Sequence, residues 1–339
     1  MPLLDQYGRP VRKAELRRPQ AEARISSVRQ PWHAGLASGL TPQRLASLLR
    51  ACDAGSPREY MILAEEMEER DTHYASVLGV RKRSDRGVEP IVTPASDSAQ
   101  DKRIADAVRE ASAEHPGFTD LVEDLLDGIG KGYSIVETSW ETTAQEWRPA
   151  RWRWRPQHYF DWDRETGQEL RLLDEANPAE GVPLHRFSYL IHTPKLKSGH
   201  PSRSGVARLV AFSWMCKSYG LKDWMAFAET YGLPLRVGKY GPEAPKEDVE
   251  KLYMAVANIG TDAAAVIPRS MEIAFEQIAN ASAGERVFEN LARYLDEQVS
   301  KAVLGQTMTA DNGSSQAQAK VHNEVRHDIS VADARSVTG

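Results

Sequence analysis

Few residues in this chain stand at spacings that do chemistry. Asp161 and Asp163 form a D-x-D pair in "YFDWDRETGQ", and paired carboxylates are a common start for a divalent-cation site. A cation needs more oxygen ligands than two and no third is identifiable, so the pair reads as turn chemistry. "GIGKGYS", from Gly128, has glycines and a lysine but not the frame of a phosphate loop, and "HNEVRH" sets His322, Glu324 and His327 at the wrong spacing for a zinc protease helix. His185, His192 and His200 fall on separate strand or loop positions and read as structural. With no nucleophile, base and stabiliser brought together, the chain is expected to be no enzyme and to need neither cofactor nor metal.

A second chemistry is suggested by "RPARWRWRPQHYF", Arg148 to Phe160, where Arg151, Arg153 and Arg155 alternate with Trp152 and Trp154. Aromatic and basic residues together can stack and hold nucleic-acid bases. Strand geometry gives the other reading, since alternate side chains point to opposite faces and the indoles would share one side and the guanidiniums the other. The 48 acidic residues against 43 basic ones leave a formal charge of −5, an unusual balance for a module that grips phosphates. The sheet is favoured, and a monomeric, soluble nucleic-acid-binding module built on residues 151–155 is the rival. Cys52 and Cys216 lie far apart and suit a reducing compartment. Neither a signal peptide nor a run of ~20 apolar residues is evident, so a soluble cytosolic protein without membrane contact is expected.

These residues must be positioned by an α+β fold. Residues 1–40, rich in Arg and Pro, read as an arm that orders only against a partner. Thr41 and Pro42 start a helix. A second is expected from Pro57 to about Gly79, with Glu65, Glu66, Glu68 and Glu69 on a solvated face. Further helices fall near Ala99 to Ala113 and Phe118 to Gly128, strands at Gly132 to Glu141 and within Trp147 to Trp162, and a hairpin turn at Asp163 to Gln168. Ser204 to Tyr231 reads as one helix, apolar around most of its circumference and roughly 40 Å long at 1.5 Å per residue, suited to packing against copies of itself. A strand, a helix after Pro245 and further strands follow. Gly284 to Leu304 is amphipathic: Phe288, Leu291, Leu295, Val299 and Val303 make its stripe, while Arg286, Glu289, Arg293, Asp296, Glu297, Ser300 and Lys301 make its polar side. A polar connection, Gly305 to Lys320, leads into a last helix.

The wording of "GLTPQRLASLLRACDAGSPREYMILAEEMEERDTHYASVLGVRKRS", "YGLPLRVGKY", "VLGQTMT" and "AKVHNEVRHDI" closely resembles the portal proteins of tailed bacteriophages, in particular those of Mu-like phages. The resemblance implies a portal-type fold: wing 41–203, first stem helix 204–231, clip 232–283, second stem helix 284–304, tunnel loop 305–320 and the start of a wing helix at 315–339; family members continue into more wing and a crown, which this sequence does not include. It implies a ring, usually of twelve subunits, at one capsid vertex, through which a terminase motor drives double-stranded DNA. It also implies contacts with the major capsid protein and with head-completion or tail-adaptor proteins. Gln306, Thr307, Thr309, Asp311, Asn312, Ser314, Ser315 and Gln316 would then line the DNA channel, together with the polar side of the second stem helix. Trp214, Trp224, Phe227, Phe288, Leu291 and Leu295 would pack between subunits.

Overall fold

A computed structural model of the chain describes residues 4, 8, 10–11, 13–33, 35–84, 90–143, 146–232, 236–257, 264–268, 281–307 and 316–338. It is an α+β protein that divides into two units, residues 1–215 with 296–339, and residues 216–295. The first unit opens with helices α1 (Lys13–Arg17), α2 (Pro42–Asp53), α3 (Arg58–Arg70), α4 (Thr72–Ser84), α5 (Ala99–Ala111), α6 (Phe118–Leu126) and the single turn α7 (Gly128–Lys131). Strands β1 (Ser134–Thr142), β2 (Trp147–Trp154), β3 (Phe160–Trp162), β4 (Leu170–Leu172), β5 (Val182–Pro183) and β6 (Tyr189–His192) follow. Helix α8 (Val206–Gly232) runs from the first unit into the second, which holds β7 (Arg236–Tyr240), α9 (Lys246–Ala257) and β8 (Ala264–Pro268). Helix α10 (Ala281–Leu304) returns to the first unit, to which α11 (Gln316–Thr338) also belongs.

Two small antiparallel sheets, β2-β1-β6 and β3-β4-β5, organise the first unit. Strand β1 is central and buried on both faces. Ile135 joins Tyr60, Met61, Tyr133, Phe160 and Leu172 on one side; Val136 joins Leu121 and Leu125 of α6 on the other, where Trp152 and Val337 close over it. Strand β2 is an edge, which is why it tolerates Pro149 beside the bulge at Ser139/Trp140. Glycine is required where α7 meets the entry to α8: a Cβ at Gly205 would collide with the Gly130 carbonyl oxygen. In the second unit β7 and β8 pair in parallel, which demands a crossover, and α9 supplies it. The remaining expected strand residues, 269–278, lie outside the described residues.

Three expectations are corrected by packing. The expected second helix is two, because the Asp71 backbone turns extended and its carboxylate caps α4, accepting the His73 and Tyr74 amides at 2.9 and 3.0 Å. The acidic face is not simply solvated. Glu66, 2% exposed, accepts the backbone amides of Leu36 and Ala37, while Glu68 and Glu65 pair with Lys82 and Lys131. The N-terminal arm orders against its own chain rather than waiting for a partner, with Leu16 and Ala21 in the interior. Its anchor is Glu137 of β1, also 2% exposed. This carboxylate accepts the Ala21 amide at 3.1 Å, the Gln20 amide, the Tyr189 hydroxyl at 3.0 Å and the Arg155 guanidinium at 2.8 Å.

A second buried carboxylate, Asp127, joins four elements. Lys82 of α4 lies at 3.0 Å, Lys131 of α7 at 2.8 Å, and the Gln157 amide and Trp154 indole donate at 2.8 and 3.2 Å. Burial pushes this carboxyl upward, but the two lysines outweigh burial and hold it well below the usual carboxylate range. Neighbouring Asp124 accepts only a backbone hydrogen bond from Trp154 to offset its burial. Burial, then the charges of Asp127, Asp120 and Glu123, push it up to about 6.

Truncating Glu137 to Ala leaves the Arg155 guanidinium and the arm amides unpartnered in the interior. Urea denaturation of Glu137→Ala is expected to show a loss of about 3–5 kcal/mol, and a loss within error of zero would refute its anchoring role. The Asp124 carboxyl, raised above its unfolded value near about 4, favours the fold below that pH, and the contribution is lost as pH rises through about 6. Asp124→Asn is therefore expected to raise the thermal midpoint at neutral pH and to flatten the stability curve across that window, as read by calorimetry at a series of pH values.

Candidate functional site

The residues with chemical potential are used for structure. Asp163 holds the β3–β4 turn, its carboxylate accepting the amides of Thr166, Gln168 and Glu169 at 2.7–2.8 Å, and Asp161 accepts the Trp162 amide at 2.9 Å. Both nitrogens of His200 are engaged, with the Ser202 hydroxyl at 2.7 Å and the Gly167 carbonyl at 3.0 Å. His192 lies between the Leu125 carbonyl, 2.7 Å away, and the Ser336 hydroxyl, 2.9 Å away; burial pushes its pKa down. The His185 amide donates to the Gln20 side chain at 3.1 Å. Lys131, from the glycine-rich stretch, is buried on Asp127 rather than free for phosphate. Among the described residues no group of three or more His, Cys, Asp and Glu side chains is arranged to hold a metal ion.

An open cavity of about 660 Å³ does lie beside Cys52, Asp53, Trp162, Asp163, His200 and Arg203. Several of its polar side chains are engaged within the chain. Burial pushes the Cys52 thiol up, away from the thiolate, while its Sγ points at the Ser202 carbonyl, 3.7 Å distant. Asp53 is paired with Arg203 and Arg208. The tryptophan and arginine strand resolves in the same way. Trp152 stacks edge-on with His115 at 4.3 Å between centroids, Trp154 lies under the Lys131 ammonium, and Arg155 is paired with Glu137, so the indoles are engaged inside the chain. Arg151 and Arg153 face water.

What the fold leaves exposed is apolar surface on its two longest helices. Within the first unit, Leu209 and Phe212 of α8 are 68% and 62% exposed, while Val206, Val210, Trp214 and Met215 on the opposite side are buried. Within the second, Met225 of α8 is 66% exposed and α10 presents Val287, Leu291 and Tyr294 at helical spacing, Val287 being 64% exposed. Phe227 and Phe288 pack on each other, their rings 5.7 Å apart, and Trp224 is half-buried. Of the six residues expected between subunits, Trp214 and Leu295 are therefore buried within their own chain, and Leu291 is exposed at the helix surface. Leu209, Phe212, Met225, Val287 and Tyr294 take the exposed places. Their i, i+3, i+4 and i+7 spacing was readable for α10; for α8, apolar almost all round, no spacing distinguishes the covered side.

The polar side of α10 is mostly where it was expected. Arg286, Glu289, Arg293 and Lys301 are exposed, Asp296 and Glu297 partly so, and Arg293 pairs with Glu289 one turn earlier at 2.9 Å. Ser300 is the exception: it is fully buried and bonded to His73 at 2.8 Å. Of the expected loop residues, Gln306 is 6% exposed and Thr307 half-buried. Thr309, Asp311, Asn312, Ser314 and Ser315 lie outside the described residues, and Gln316 begins α11. No helix among the described residues is long and apolar enough to cross a membrane.

Comparison with known proteins gives the chain a family. Residues 61–339 match the family described as the portal protein of Mu bacteriophage. The chain is 33% identical over 346 residues to the "Mu-like prophage FluMu protein gp29" of Haemophilus influenzae, covering 98% of this chain and 64% of that protein. It is 34% identical over 307 residues to the "Portal protein" of Escherichia phage Mu, covering 88% of this chain and 59% of that one. The chain thus spans about three fifths of the length of the curated relatives it matches. A match over most of its length, with identity of this order to two such relatives, means that the chain belongs to the Mu-type phage portal protein family.

Proposed function

We propose that the chain is a portal subunit, a non-enzymatic part of the virion that assembles in the host cytoplasm into a ring at one capsid vertex. The ring, of about twelve copies as in the family's usual architecture, passes double-stranded DNA inward during terminase-driven packaging and outward at ejection. The observation that carries this reading is the uncovered apolar surface on α8 and α10, since large exposed apolar patches mark surfaces made for a partner. A ring covers them with copies of the same chain through a heterologous contact that closes. In this reading residues 41–203 and 315–339 are wing, 204–231 and 284–304 stem, 232–283 clip and 305–320 tunnel loop. Capsid protein meets the wing, and terminase and then the head-completion or tail-adaptor proteins meet the clip.

The charge pattern supports passage rather than grip. Along α10 the three cations Arg286, Arg293 and Lys301 stand against the four anions Glu285, Glu289, Asp296 and Glu297, so a bore lined by this helix has no net positive charge with which to displace counterions and hold a duplex. Engagement of Trp152 and Trp154 inside the chain argues against the rival monomeric nucleic-acid binder, which needs free indole faces.

Replacing Phe212 with Lys, or Val287 with Glu, is expected to weaken self-association by about tenfold or more per interface with an unchanged circular dichroism spectrum. Sedimentation and electron-microscope class averages read this directly; rings that persist in both variants overturn the assignment of these surfaces. Trp214→Ala, by contrast, is expected to cost about 3–5 kcal/mol of subunit stability. Within the loop, Asn312→Arg combined with Ser314→Arg is expected to slow DNA translocation in a packaging assay while ring assembly is retained, because charge is added and no apolar contact removed. An unchanged rate would remove residues 305–320 from the channel.

A further inference from the structure

Arg81 of α4 is a buried cation whose three bonds reach two distant parts of the chain. Its Nε donates to Asp333 Oδ2 at 2.6 Å and its Nη2 to Asp333 Oδ1 at 2.9 Å, a bidentate pairing with α11. Its Nη1 donates to the Val303 carbonyl at 2.9 Å. Val303 belongs to the last turn of α10, where carbonyls have no amide of their own helix to accept. Gly305, at φ 67°, ends that helix with its amide on the Lys301 carbonyl at 3.1 Å. Arg81 is therefore bonded to both helices that flank the connection between α10 and α11.

We propose that Arg81 is a positioning residue for the α10 end of that connection, fixing Val303 to α4 while Asp333, far along α11 from its start at Gln316, holds the guanidinium in place. A stabilising ion pair alone would require only the contact to Asp333. The third donor, aimed at a helix-terminal carbonyl, is what an ion pair does not explain and what a planar guanidinium, unlike an ammonium, supplies without giving up the first two. Each partner of Arg81 has a second tie close by. His73 reaches Ser300 one turn before Val303, and Ser336 bonds both His192 and the Asp333 carbonyl one turn beyond the clamp. Displacement of residues 305–307 is resisted by α4 through Val303 and Ser300. The functional consequence, that Arg81 holds a channel loop steady against a passing duplex, rests on the reading of residues 305–320 given above.

Amide hydrogen exchange on the assembled full chain tests this, with Arg81→Lys, Asp333→Asn and the exchanged pair Arg81→Asp with Asp333→Arg. Arg81→Lys is expected to speed exchange of Gly305 to Thr307 by about tenfold or more while exchange in α3 and α6 is unchanged. The exchanged pair recovers protection of Ser330 to Ser336 but not of Gly305 to Thr307, because a carboxylate in place of the guanidinium has no proton for the Val303 carbonyl. Asp333→Asn, which keeps the shape of the site, replaces the pair if that variant fails to fold, and is expected to loosen Ser330 to Ser336 alone. Unchanged exchange at Gly305 to Thr307 in Arg81→Lys overturns the proposal, as does acceleration spread evenly over the whole unit, the mark of an ordinary stability contact. Local acceleration combined with wild-type DNA translocation upholds the positioning role and instead overturns the placement of the loop in the channel.

Discussion

A carboxylate withdrawn from water is tolerated only where every lone pair finds a donor. Asp127 meets that condition with groups from α4, α7, β2 and the turn at Gln157, and the rest of the first unit is arranged around it. Such a network adds little net stability compared with apolar residues of the same volume, yet it admits one arrangement of its members. Lys82 and Lys131 cannot both reach the carboxylate unless α4 and α7 lie at a fixed spacing, and Glu65 and Glu68 bind α3 to the same two lysines. Glu137 does for the N-terminal segment what Asp127 does for the helices. Two buried acids thus fix the frame from which the long helices leave.

The parts of the fold legible in the sequence were those set by local chemistry. Thr41 and Pro42 begin α2, with the Thr41 hydroxyl accepting the Arg44 amide; Asp163 to Gln168 turns the β3–β4 hairpin; and the continuous apolar character of α8 emerges as a helix of 27 residues. What could not be read is set by neighbours far away in sequence. Glu66 and Ser300 look like surface positions on a helical wheel and are buried because segments 30 and 227 residues away supply their partners. Asp71 looks like one more acid in an acidic run until its carboxylate caps a new helix. The covered side of α8 was equally hidden, since Trp214 and Phe212 are of similar character and only tertiary packing separates them.

The same logic explains why no active site was visible from either direction. Buried polar side chains are plentiful here, and Asp161, Asp163, His192 and His200 end on amides, hydroxyls or carbonyls, while among the described residues no group of three or more potential metal ligands is assembled. Membership of a portal family suits that pattern.

Insertion of the second unit between residues 215 and 296 carries a kinetic consequence. The first unit is discontinuous in sequence, so a ribosome releases most of it long before α11, and Arg81 is made 252 residues ahead of Asp333. Until α11 emerges, that guanidinium lacks its carboxylate and the patch of α6 and β1 that Val337 closes over lacks its cover. Closing contacts of such separation are entropically slow. The nascent subunit therefore passes through a stage in which its sheets are formed but α11 is undocked, and exposed helix surface persists. The order in which the first unit closes is in this way set by topology, with the Arg81–Asp333 pairing among its last contacts.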